Sequence, residues 1–296
     1  MTDHHGSTPG ALAGAAPLGA SFGMVLLTLL LAAAATAPYL AASARLRGRG
    51  DRWPAGRALL WSAAALCVPA AVAAGDLLRE RELVAHVAQH VLLGMVLPVA
   101  AALAAPLSLA LRVLPPRPRG TLLALLRSRW ARVVTSAPAV VLLEVSGFVA
   151  FFLTPLHHAV AGRPVLAVAV HAHAVLAGYL FASLLVGRDP LRGRPGVRGR
   201  LLVLLLVAGA HDTVARLLVA SAPADAGVRA AGELLAGAGT VVDVGLAALV
   251  MAGWYAAGHL RPAARPPARR RRPSRPARRS GRRSPRPAAP PRPGSR

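Results

Sequence analysis

Long apolar runs, each closed by a short arginine-bearing segment, constrain this chain more than any other feature. A bilayer crossing needs about 20 mostly apolar residues. Seven stretches rich in Ala, Leu and Val approach or exceed that length, at roughly 18–43, 58–74, 83–111, 137–156, 164–187, 201–220 and 235–257. Hydrocarbon offers no partner to a backbone N–H or C=O, so such runs satisfy their polar groups internally, as helices. The expected fold is therefore all-α, a polytopic membrane protein with a seven-transmembrane-helix bundle across 18–260. An external segment 1–17 precedes it and a tail 261–296 follows. The third run is longer than a crossing requires, and Pro98 and Pro106 are expected to kink it or to lay its C-terminal part along the surface.

Charge placement orients the bundle. The net charge is +24, and all 35 basic residues are arginine. Met1 to Pro17 carries no arginine, unlike the basic start of a signal peptide. Five arginines, Arg45 to Arg57, follow the first run. With the N-terminus outside, segments 44–57, 112–136, 188–200 and 258–296 become cytoplasmic, and they hold 30 of the 35 arginines. The positive-inside rule thus puts the N-terminus outside and the C-terminus in the cytoplasm. The tail has 14 arginines, 10 prolines and no acidic residue, a composition that cannot bury a core and is expected to be disordered. It reads as an anchor to anionic head groups of membrane lipids. Nucleic acid is not expected as a partner, because no aromatic residue is interleaved to stack on bases. Thr121–Val134 mixes leucines with Arg127, Arg129, Trp130 and Arg132 and reads as an amphipathic interfacial helix.

Several chemistries are excluded. Without lysine there is no Schiff base, hence no retinal chromophore and no pyridoxal enzyme, and the P-loop lysine is missing too. The single cysteine, Cys67, rules out a disulfide framework, a CxxC pair and a cysteine-rich metal site. His86–Val–Ala–Gln–His90 has the outline of a zincin helix, but Val87 stands where the glutamate belongs. No GxSxG elbow, no GxGxxG after a strand and no defensible acid–base dyad is present, so a non-enzyme is expected.

The polar residues inside the runs carry the remaining signal, because ionisable groups in a crossing are costly. His86 and His90 lie in the outer part of the third run, His171 and His173 in the outer half of the fifth. His211 and Asp212 lie eight or nine residues into the sixth, with Asp243 similarly deep in the seventh. At 1.5 Å per residue these share a layer roughly 5–15 Å below the external surface. Glu144 is placed nearer the midplane. His86 and His90, at i and i+4, share one helix face and can supply two nitrogens to one ion. His171 and His173, at i and i+2, cannot both easily point at the same centre. Met95 is turned away from the His86–His90 face. The candidate metal ligands are therefore His86, His90, His171, His173 and His211. Imidazole suits copper, zinc, iron and nickel, and without thiolates copper or a haem iron is the natural occupant. A second possibility is a b-type haem held by histidines of two helices, in electron transfer. A third is a metal or ion transporter relaying through Asp212, Asp243 and Glu144. Asp212 and Arg216, at i and i+4, are expected to form an internal salt bridge. His157 and His158 are expected to be solvated at an external mouth, and Cys67 to be a buried packing residue.

The chain also resembles the CtaG family of caa3-type cytochrome c oxidase assembly factors, over roughly residues 53–257. The resemblance rests on Trp53–Pro54–Ala55–Gly56–Arg57, on His86–xxx–His90–Val–Leu–Leu, on Ala104–Ala105–Pro106–Leu107 and on Leu111–Arg112. Its most specific part is His171–Ala–His173–Ala–Val–Leu–Ala–Gly178–Tyr179–Leu180–Phe181, running on to Gly187–Arg188–Asp189–Pro190. His211 falls where the family's sixth crossing carries a histidine. The family's Asp-Gln pair before a Gly is replaced here by Ala231–Gly232–Glu233–Leu234–Leu235–Ala236–Gly237, and Thr240 occupies the region of its following tryptophan. The resemblance implies a multi-pass protein of a bacterial cell membrane that is needed to form active terminal oxidase. It implies the oxidase subunits as partners, with supply or placement of copper as the usual supposition.

Overall fold

The computed structural model describes residues 18–160, 162–190 and 193–259. The expected external segment 1–17 and the tail 261–296 lie outside the described residues. Among those described, every regular element is helical: α1 (Leu18–Gly48), α2 (Ala55–Leu77), α3 (Glu82–His90), α4 (Leu97–Ala104), α5 (Pro106–Val113), α6 (Pro116–Arg127), α7 (Arg129–Val134), α8 (Ala137–Leu153), α9 (Leu156–Val160), α10 (Pro164–Leu185), α11 (Val197–Ser221) and α12 (Ala226–His259). A π-helical turn, Val91–Val96, joins α3 to α4.

Among the described residues six segments are long and apolar enough to cross a membrane: Phe22–Gly48, Ala55–Leu77, Glu82–Val113, Pro164–Leu185, Val197–Ser221 and Ala226–Ala257. The expected fourth crossing appears as α8, apolar but only 17 residues long. At 1.5 Å per residue it reaches about 25 Å, a little less than a typical hydrocarbon core. Phe22, Leu205 and Val241 are among many large apolar side chains left exposed, a surface that suits lipid rather than water.

The third crossing is interrupted twice, at the two prolines expected to bend it. Pro98 has no N–H to return to Gly94 O. Just before it, the Leu97 N–H bonds five residues back, to Leu92 O, and the helix widens. The second break is sharper. Ala105 adopts φ 57° and ψ 57°, buried and immediately before Pro106, where the ordinary α region is sterically disfavoured. The strained turn is held from three sides. Asp189 accepts from the Leu107 N–H at 3.2 Å and the Ser108 N–H at 2.6 Å. Tyr179 Oη donates to the same carboxylate at 3.1 Å, and Tyr39 Oη donates to Ala104 O at 2.7 Å.

Helix α2 packs against α1, α3 and α4, while α10 packs against α4, the π turn and α8, and α11 lies on α8. Gly178 makes the α10 approach possible. A Cβ there would collide with Gly94 O and stand 2.8 Å from Pro98 Cγ. One core cluster gathers around Phe148, Phe151 and Phe152 of α8, and another around Phe181, Leu184 and Leu185 of α10. The end of α10 is closed by arginines: Arg194 donates to Ser183 O at 2.6 Å and Arg200 to Leu185 O at 3.0 Å. Burial, with Arg200 nearby, pulls the Arg194 pKa below the usual guanidinium range.

The expected interfacial helix over Thr121–Val134 is split in two. Ser128 leaves the helical conformation, and its Oγ accepts from the Ala131 N–H at 3.0 Å, capping α7. Neither α6 nor α7 buries a residue, and Trp130 stands 80% exposed, as a helix pair lying on a surface requires.

Candidate metal centre

The histidines marked by the sequence come from α3, α10 and α11, and α8 supplies the wall between them. A cavity of about 40 Å³ is lined by His86, His90, His171 and His173, together with Glu144 and Phe148. Its space exceeds the 10–15 Å³ or so that one water requires. His211 does not line this cavity but stands behind His90, with ring centroids 6.0 Å apart and ring planes at 90°. Phe148 packs against both rings, at 5.0 Å from His90 and 4.3 Å from His211, and Phe152 caps His90 at 5.7 Å.

Three of the four ring nitrogens of this pair lack any hydrogen-bond partner in spite of being buried: His90 Nε2, His211 Nδ1 and His211 Nε2. His211 as a whole is only 8% exposed. An unpaired buried polar atom costs about 1–3 kcal/mol, so a pair like this needs a reason. His86 Nδ1 is likewise buried and unpaired, with its ring edge-on to Phe151 at 5.6 Å.

The two α10 histidines behave differently. His171 Nδ1 lies 2.7 Å from Ala167 O, a contact favourable only when that nitrogen carries the proton. Its Nε2 is then left with the lone pair, the arrangement common among metal-bound imidazoles. His173 is exposed, and its Nε2 donates to Leu143 O at 3.2 Å. It crosses α8 where Gly147 has no side chain, since a Cβ there would collide with His173 Nε2. Both residues touch the cavity, His173 reaching across α8 where Gly147 leaves room.

Glu144 is 8% exposed, lines the cavity and makes no hydrogen bond among the described residues. Asp212 points away from the histidines. Its Oδ2 accepts from Arg216 Nε at 2.8 Å on the outer surface, as the i, i+4 spacing indicated. Asp243 of α12 is half-buried and also lacks a hydrogen bond. Met95 is buried and faces Gly239 of α12. Cys67 is buried, its Sγ donating to Ala63 O at 3.3 Å.

A wider, open cavity of about 570 Å³ adjoins the site and shares His86 with it; Glu82, Thr154, His157 and His158 form its rim. His157 Nδ1 donates to Thr154 O at 3.0 Å, and the His157 and His158 rings lie 3.9 Å apart. These two residues belong to a vestibule leading to His86, more than simple solvation suggested. Among the described residues no three His, Cys, Asp or Glu side chains stand at a spacing to hold one ion. The geometry offers a pair, His90 and His211, with His86 and His171 nearby.

Two features escaped sequence reasoning. One is the aromatic wall: three of only five phenylalanines sit at positions 148, 151 and 152 of α8, and that i, i+3, i+4 clustering was a visible signal. The other is the Asp189 knot, whose partners are separated by about 80 residues and share no local pattern.

The chain is similar to the uncharacterized protein Mb0105 of Mycobacterium bovis and the uncharacterized protein MT0111 of Mycobacterium tuberculosis, at 33% identity over 188 residues in each case. Those alignments cover 58% of this chain and 27% of each relative. The uncharacterized protein ML1998 of Mycobacterium leprae is 28% identical over 164 residues, 51% of this chain and 24% of the relative. The chain thus spans about a quarter of the length of these relatives. No solved structure matches it. The profile of the family described as cytochrome c oxidase caa3 assembly factor (Caa3_CtaG) matches residues 37–257, from within α1 to the last turns of α12, and the chain belongs to that family.

Proposed function

We propose that this chain is a non-enzymatic, multi-pass assembly factor of a bacterial cell membrane that hands copper to cytochrome c oxidase from the His90–His211 pair. In this reading α8 is the short fourth of seven crossings, the N-terminus lies outside, and the arginine-rich tail rests on anionic lipid in the cytoplasm. The observation that carries it is the pair itself. Two imidazoles sharing an ion through metal–nitrogen bonds of about 2.0 Å have ring centroids about 6 Å apart. His90 and His211 stand at 6.0 Å, with three buried ring nitrogens unpartnered. A soft monovalent copper ion accepts two imidazoles. The His157–His158 vestibule supplies a route from the external side through His86.

The packing favours an ion over a porphyrin. Phe148 fills the space beside both rings, where a macrocycle would have to lie. A relay through Asp212 is disfavoured too, because that carboxylate faces outward and is paired with Arg216.

Metal analysis of the purified full chain tests the proposal. It is expected to hold about one copper per chain, and His90→Ala is expected to lose it. Unchanged copper content in His90→Ala would refute the site. Normal oxidase activity in a deletion strain grown without added copper would refute the role.

A further inference from the structure

Several of the residues that carried the family resemblance, Trp53, Arg57, Arg112 and Arg188, lie at the arginine-rich ends of the helices. Trp53, 4% exposed, lies just before α2, and the Arg57 guanidinium stands 4.4 Å from its ring centroid. Arg112, in the last turn of α5, stands 5.6 Å from the same centroid. Both distances fall inside the ~6 Å range of a cation–π contact. Arg188, just beyond the end of α10, is tied to the first turn of α5, its carbonyl accepting from Ser108 Oγ at 3.5 Å, and it repels Arg57, as Arg112 does.

This cluster lacks an anion. None of the three guanidiniums makes a hydrogen bond or an ion pair among the described residues, and Arg57 Nε is buried without a partner. The neighbouring carboxylate, Asp189, is occupied by the Leu107 and Ser108 N–H groups and by the Tyr179 hydroxyl. The start of α2 adds to the imbalance. No side chain caps it, its first turn holds no acidic residue, and a Cβ on Gly56 would meet nothing within 4 Å. Arg57 thus sits at the positive end of a 23-residue helix, where a carboxylate is the usual occupant. A helix start without a side-chain cap, open space and guanidiniums with unused donors are the elements of a phosphate site.

We propose that Arg57 and Arg112, which flank the Trp53 ring at the start of α2, bind a phosphoryl anion together with the neighbouring Arg188. Arg57 and Arg112 stand at the ends of segments long and apolar enough to cross a membrane, and Arg188 three residues beyond another, a placement that in a bilayer would bring them near lipid phosphates. The headgroup of an anionic phospholipid is therefore the occupant the placement favours, with inorganic phosphate the other source of the same chemistry. Binding there would clamp the α1–α2 connection, α5 and the α10–α11 connection together, independently of any metal.

The test uses the full chain in neutral detergent, with thermal unfolding and native mass spectrometry as readouts. Phosphatidylglycerol is expected to raise the unfolding temperature and to remain bound, while phosphatidylcholine does neither. In Arg57→Gln/Arg112→Gln, lipid retention is expected to fall about tenfold, the loss of charge-assisted bonds to phosphate. The control Arg127→Gln/Arg129→Gln removes the same charge from the exposed α6 and α7 and keeps the effect. If the double variant folds poorly, Arg112→Gln alone, at an exposed position, gives the same reading by mass spectrometry. Stabilisation by inorganic phosphate that is equally lost in the variants would support the site and name the free anion as occupant. Equal phosphatidylglycerol retention in wild type and variants, or stabilisation by an acidic peptide but by neither phosphate source, would overturn the proposal.

Discussion

Asp189 Oδ1 accepts a 2.6 Å hydrogen bond from the Ser108 backbone N–H, joining the segment after α10 to the first turn of α5. The bond holds a left-handed Ala105 in place, and the carboxylate is buried at 4% exposure. Removing it strands two backbone donors and the Tyr179 hydroxyl. Each hydrogen bond to a charged acceptor contributes about 1.5–3 kcal/mol, less than additively. Asp189→Ala is expected to destabilise the detergent-solubilised protein by about 3 kcal/mol or more, and Asp189→Asn by less, since one oxygen remains as acceptor. Unfolding temperatures in one detergent compare the two, and an unaltered Asp189→Ala would contradict the knot.

The copper proposal ranks the histidines. His211→Ala is expected to lose copper as fully as His90→Ala, because each leaves its partner alone. His173→Ala is expected to keep most of it, since that ring is exposed and its Nε2 already donates to Leu143 O. Metal content of the three variants, measured after identical purification, decides the ranking. Loss in His173→Ala with retention in His211→Ala would reverse it.

Two glycines separate packing from propensity. A Cβ at Gly178 meets a backbone oxygen, Gly94 O, which cannot rotate away, and the side chain of Pro98. Gly178→Ala is expected to cost about 1–3 kcal/mol, through forced separation of α10 from the π turn. Gly237, exposed within α12, has nothing within 4 Å of its Cβ. Gly237→Ala is expected to be neutral or to stabilise by up to about 1 kcal/mol, the helix-propensity difference. Thermal melts of both variants check the contrast.

Asp212 and Arg216 pair on the outer surface, with side chains 52% and 77% exposed. Asp212→Leu/Arg216→Leu is expected to retain folding and copper, because neither residue touches the cavity. Arg216→Leu alone leaves a carboxylate facing lipid and is expected to lower membrane yield. Expression level and copper content of the two variants test whether the pair is only mutual compensation.

Helices were legible wherever composition and length act locally. The runs expected at 58–74 and 164–187 appear as Ala55–Leu77 and Pro164–Leu185. The last helix begins at Ala226, well before the expected 235, because Arg229 and Glu233 depress the hydropathy of a turn that alanines still hold helical. The candidate site was legible in part. The i, i+4 spacing placed His86 and His90 on one face, and both line one cavity. That His211 pairs with His90, while Asp212 beside it faces outward, depends on the rotation of α11 against α8.

By itself the sequence determined the helical class, the arginine-rich segments between apolar runs and the identity of the costly imidazoles. These follow from transfer energies and from backbone satisfaction, which act residue by residue. Only the tertiary structure decided which imidazoles meet. A helix can rotate about its axis or slide along its neighbour without changing its own hydropathy. Here the choice is set by close contacts: Gly178 against Gly94 O, Gly147 under His173, Phe148 beside both the His90 and His211 rings, and Asp189 on the start of α5.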